Sequence, residues 1–82
     1  MARNVPDRAN MRQKYWITTG DVGSLDNTKR EHNLGSRQGQ AAMRRAVDAH
    51  AKRTGKTSWA VRDKDFGPRD SVKNSLYTKE VK

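Results

Sequence analysis

Apolar residues fall into short clusters along the chain, separated by polar stretches that carry the glycines. The first cluster spans Lys14 to Thr18. Tyr15, Trp16 and Ile17 are followed by Thr18 and Thr19, all strand-favouring types, and Gly20 ends the run. Asp21 to Asn27 carries turn chemistry in Gly23, Ser24, Asp26 and Asn27. Thr28 to Leu34 is polar apart from Leu34 and reads as the solvent-facing second strand of a hairpin. Gly35-Ser36 then offers a helix cap, because a serine hydroxyl can accept from the first free backbone amides.

The period changes after this cap. From Gln38 to Arg53 the residues are good helix formers, and Gly55 stands where a left-handed stop is needed. Met43, Ala46, Val47 and His50 follow i, i+3, i+4, i+7 spacing, flanked by Ala42 and Ala49. This predicted buried face is mostly alanine, which lets the helix lie close to a sheet. The other face carries Gln40, Arg44, Asp48 and Lys52, with Arg37, Arg45 and Arg53 at its margins. Ser58 to Asp63 alternates, with Trp59 and Val61 on one side and Ser58, Ala60 and Arg62 on the other. Asp63 to Pro68 reads as a hairpin turn with Phe66 tucked under it. Val72, Leu76 and Tyr77 suggest a last strand, although Asp70 could equally cap a short helix.

These elements predict an α+β fold of ββαββ order, with one amphipathic helix packed on one face of a small antiparallel sheet. Residues 1–12 form a flexible basic arm, 13–77 a single domain and 78–82 a frayed tail. The core is thin. Leu, Ile, Val and Phe total 11 of 82 residues, so Tyr15 and Trp59 are expected inside it rather than stacked on nucleic-acid bases. Such a fold is either marginal or completed by a partner or a second copy, which keeps a homo-oligomer in view.

Charge changes the picture most. The chain holds 18 Lys and Arg against 9 Asp and Glu, a net charge of +9, spread along its length. A field of that sign concentrates polyanions near the protein. Nucleic acid is the leading partner, because neutralising its phosphates releases counterions. An acidic protein surface satisfies the same physics. The candidate contacts are Arg37, Arg44, Arg45, Lys52, Arg53, Lys56, Arg62 and Lys64, grouped on the helix and the segment after it. The expectation is one positive surface across the helix C-terminal end and the third strand.

Other chemistry finds little support. Without cysteine there is no disulfide and no Cys-type zinc site. Gly55-Lys56-Thr57 resembles the end of a P-loop, but His50 stands where the first glycine is required, and helix precedes strand. Asp65-Phe66-Gly67 matches a kinase tripeptide in a chain far too short for a kinase. A calcium loop begun at Asp63 would have Asn74 at its twelfth position, where a bidentate Glu is needed. Of the two histidines, His50 faces inward near the helix end as a structural residue, with no serine or carboxylate placed by sequence to make it a general base. The expectation is a binding protein without catalytic, metal or cofactor chemistry. No apolar run has the length of a signal peptide or membrane span, so a cytoplasmic location is expected.

Ala42, Ala46 and Ala49 in the helix, Gly55 at its stop, Val61, Arg62, Asp63, Asp65 and Gly67 in the turn, and Ser75 with Tyr77 near the end form a recognisable series. On these residues, Lys14 to Tyr77 resembles a family of short, uncharacterised bacterial and phage proteins. The chain departs from that pattern by inserting Phe66 before Gly67 and by lacking a glycine after Tyr77. The resemblance implies the strand–helix–strand order and nothing about activity. Two functions follow from the sequence. One is a regulatory binder of DNA or RNA that contacts the phosphate backbone. The other is a regulator or inhibitor, of the kind phage and mobile-element genomes encode, that docks on an acidic patch of a larger host enzyme.

Overall fold

A computed structural model describes residues 12–21, 23–66 and 74–82. Its elements are β1 (Arg12–Thr18), β2 (Thr28–Asn33), α1 (Arg37–Thr54), β3 (Ser58–Arg62), a 3-10 turn (Asp63–Asp65) and β4 (Tyr77–Lys79). The strands form one sheet of order β2-β1-β3-β4, in which every neighbouring pair is antiparallel. The α+β fold of ββαββ order is therefore the fold observed. Apart from Arg12, the N-terminal arm lies outside the described residues, as do Asp70 and Val72. Arg12 itself begins β1 and pairs with Asn33.

Polar residues close the first hairpin by binding their own backbone. Asp21 accepts from the Gly23 amide (3.0 Å), the Ser24 hydroxyl from the Asp26 amide (3.0 Å), and the Asn27 side chain donates to the Asp21 carbonyl (2.8 Å). β2 buries no large side chain. The Tyr15 hydroxyl and Nδ1 of His32 share a 2.8 Å hydrogen bond that helps to hold it against β1.

The helix ends follow local chemistry. Ser36 Oγ accepts from the Gly39 amide (3.0 Å), and Gly55 takes the left-handed conformation (φ 71°) while its amide donates to the Ala51 carbonyl. Lys52 and Arg53 occupy the last turn, where the helix dipole favours cations. The buried face is Gly39, Met43, Val47, His50 and Ala51. It is rotated from the expected stripe: Ala49 is exposed, and Ala42 and Ala46 are only half-buried. Gly39 explains the rotation, because a Cβ at that position would overlap the Asn33 carbonyl. The helix thus meets the end of β2 through a bare backbone.

The helix does not sit on the Trp59 and Val61 side of β3. It covers the other side, where Ala60 joins Tyr15, Ile17, Met43 and Val47 in the core, and Leu34, Ala46, Leu76 and Tyr77 pack around them. Ser58 on that side is fully buried as well. Its hydroxyl is 2.9 Å from Nδ1 of His50, whose Nε2–H donates to the Asp26 carbonyl at 2.7 Å. This histidine ties helix, sheet and first hairpin together, and the β3 strand brings to it the serine that sequence spacing did not.

On the helix-free side Trp59 packs against Gly20, and Trp16 stacks on Phe66 with ring centroids 4.8 Å apart. Phe66 therefore lies over Trp16 at the end of a 3-10 turn, and Gly67 and Pro68 of the expected hairpin turn lie outside the described residues. The chain end differs from expectation too. Thr78 and Lys79 do not fray: they pair with Trp59 and Ser58, and the Val81 amide donates to the Thr57 hydroxyl at 3.0 Å. Thr57 supplies a side-chain acceptor just beyond the strand, so order extends past the last ladder pair.

Candidate anion-binding site

The antiparallel pairing of β1 with β3 sets Tyr15 opposite Arg62 and brings the start of β1 beside the end of β3. Alternation sends Arg12, Lys14 and Trp16 to the helix-free face, whereas Gln13 and Arg62 face the helix side with Tyr15 and Ala60. The result is a trough of about 540 Å³ lined by Arg12, Gln13, Lys14, Glu31, Arg62, Asp63 and Lys64. A smaller cleft of about 190 Å³ adjoins it between sheet and helix, and Gln13 and Arg62 line both.

Charge within the trough is not balanced. Glu31 is engaged by Arg12 Nε at 3.1 Å. Asp63 accepts from Trp16 Nε1–H at 2.7 Å and lies 3.7 Å from Lys29 Nζ. Lys14, Arg62 and Lys64 pair with no described carboxylate, and the same holds for Arg44 at the wall of the cleft. Glu31 is thus paired inside the trough with Arg12, and Asp63 is held from outside it by Trp16 and Lys29, which leaves Lys14, Arg62 and Lys64 as the cations in excess. Arg62 Nε is withdrawn from solvent and has no hydrogen-bond partner among the described residues. A buried unpaired donor costs about 1–3 kcal/mol, so the fold carries a standing penalty at this position.

The predicted contact residues divide into two groups. Arg44, Arg62 and Lys64 converge on the trough and cleft. Lys52, Arg53 and Lys56 are exposed at the opposite end, where His50 meets Ser58. Eight helical residues separate Arg44 from Lys52, about 12 Å at ~1.5 Å each. That exceeds the ~8 Å over which salt screens exposed charges. Arg37 and Arg45 are exposed along the helix. The expected single surface over the helix C-terminal end and β3 is therefore two surfaces, because β3 carries Arg62 away from that end. Lys14 was missed from the sequence. The alternation of Arg12, Lys14 and Trp16 was a signal for it, but placing it beside Lys64 requires the register of β1 on β3.

The aromatic residues are engaged by neighbouring groups. Tyr15 is buried, and that burial raises its hydroxyl above the ordinary tyrosine value, only partly countered by Arg30. The indole of Trp16 has Phe66 stacked on it and Lys29 Nζ 5.6 Å from its centroid. Trp59 is 9% exposed. The Tyr77 hydroxyl donates to Asp48 Oδ1 at 2.9 Å, and this bond, more than burial, raises its pKa.

Among the described residues, no group of three His, Asp or Glu side chains is placed to hold a metal ion, and no helix is long and apolar enough to cross a membrane. Comparison with known protein families, with curated proteins and with solved structures returns no match.

Proposed function

We propose that the protein binds nucleic acid through its phosphate backbone, seating phosphates along the trough at the β1–β3 end of the sheet. The observation that carries this reading is the charge imbalance there. Lys14, Arg62 and Lys64 line the concavity in excess, while Glu31 is paired with Arg12 there and Asp63 with Trp16 and Lys29. Arg44 continues the positive wall into the cleft, and the exposed Arg37 and Arg45 extend it along the helix. Phosphate contacts of this kind fix position and carry little sequence information. The stacking of Phe66 on Trp16 and the burial of Trp59 agree with that, since base stacking needs open aromatic faces. The role is that of a small cytoplasmic regulator which binds without catalysing and needs no cofactor.

Filter-binding titrations with single-stranded and duplex DNA at several salt concentrations test this. Affinity should fall steeply with salt, and Lys14→Gln with Lys64→Gln should lower the slope of log affinity on log salt by about one for each contact removed. Absence of binding at low salt would refute the reading. An unchanged slope in the double variant would move the contact away from the trough, to the Lys52, Arg53 and Lys56 end.

A further inference from the structure

The cleft beside the trough has a different lining. Leu34, Met43 and Leu76 form its apolar wall, and Gln13, Gln40, Arg44 and Arg62 its polar one. Met43 is buried, while Leu34 and Leu76 are half-buried against the core. A phosphate would engage the two arginines and leave this apolar wall wet. A base would need a ring to stack on, and no aromatic residue lines the cleft.

The polar groups have capacity to spare. The Gln40 amide nitrogen donates to the Leu34 carbonyl at 3.0 Å, which leaves its side-chain oxygen as an acceptor. Gln13 lines the cleft with both amide functions uncommitted among the described residues. Arg62 adds one guanidinium and Arg44 a second. Charge-assisted donors, amide acceptors and an aliphatic wall are thus gathered within the span of one amino-acid residue. The volume, about 190 Å³, somewhat exceeds the ~150 Å³ apolar cavity known to accept a benzene ring.

We propose that this cleft binds the C-terminal residue of a polypeptide that ends in an aliphatic side chain. Its carboxylate would meet Arg44 and Arg62, its amide N–H the side-chain oxygen of Gln40 or Gln13, and its side chain Leu34, Met43 and Leu76. Guanidinium groups suit a carboxylate because their planar donors match both oxygens. The ligand class differs from that of the trough, and the proposal does not rest on the nucleic-acid reading. Because Arg62 lines both cavities, the two ligands compete for it.

The test is an NMR titration of the full chain with an N-acetylated Ala-Ala-Leu tripeptide bearing a free carboxylate. Its C-terminal amide and inorganic phosphate serve as comparisons. The free acid should shift the backbone amides of Leu34, Gln40, Met43 and Leu76 saturably. The amidated peptide should bind about tenfold more weakly, as expected when a charge-assisted contact is lost. Arg62→Gln should weaken the free acid by a similar factor. Arg44→Gln, on the exposed helix surface, should do likewise and guards against a fold defect in the first variant. Equal binding of acid and amide, the same shifts from phosphate alone, or no shift with millimolar peptide would each overturn the proposal.

Discussion

On the helix side of the sheet the side chains that β3 presents to α1 are small. Ser58 and Ala60 lie beside Tyr15 and Ile17, and Gly39 lets the helix backbone approach Asn33. On the other side Trp16, Trp59 and Phe66 supply bulk with no helix above them. The first face is closed by close approach and by a hydrogen-bonded histidine, the second by stacked rings and the Trp16–Asp63 bond. A chain poor in aliphatic residues thus covers both faces of β3 by giving one the helix and the other most of its aromatic side chains. The faces should fail differently, the first through steric exclusion and the second through lost contact area.

The sharpest break is at Gly39. Gly39→Ala should destabilise the fold by about 3 kcal/mol or more, since a backbone carbonyl, and not a flexible side chain, occupies the space the methyl requires. A denaturant melt measures it, and a loss below 1 kcal/mol would mean that the helix and β2 do not approach this closely. On the opposite face, Trp16→Ala should cost about 2 kcal/mol, less than for a fully buried tryptophan because the residue is only half-buried. Phe66→Ala should then add little to it, because the partner ring is already gone. Full additivity in that double variant would show the rings to be independent.

The smallest effect concerns pH. Tyr77 and Tyr15 both have hydroxyls raised above 10.0, the first by its bond to Asp48 and the second by burial. The unfolded chain therefore releases these protons first on going alkaline. Their contribution to stability is complete below pH 10 and is lost as pH rises through the folded-state values. Tyr77→Phe should flatten the alkaline decline measured by melts between pH 9 and 11.5, and an unchanged decline would assign it to Tyr15 or other groups.

Much of the fold was legible because its boundaries are written in local chemistry. Gly20, Ser36 and Gly55 each stop or start an element where the backbone demands it. The face of β3 that receives the helix was not legible from alternation alone, since Trp59 and Val61 look like the better core. Close packing made the small residues the partners of α1, and Gly39 inside a helix was the signal for it. The extent of β4 was misjudged because its order depends on pairing with β3 and on the Thr57 hydroxyl, both distant in sequence. The candidate site was legible in its charges but not in its grouping. Arg62, Lys64 and Lys14 meet only through the β1–β3 register, which joins residues more than forty positions apart.

The polar character of β2 has a consequence for concentrated solutions. Among the described residues it is one outer strand of the sheet, and Lys29, Arg30 and Glu31 stand exposed along it. The other outer strand, β4, is only three residues long. An incoming copy would have to bring its own charged strand alongside the first, and a strand of three residues offers little ladder to extend. Charge and shortness are two ways in which sheets resist growing edge to edge. The sheet thereby resists aggregation through either border, so samples at the millimolar concentrations used for spectroscopy should stay clear of fibrous precipitates.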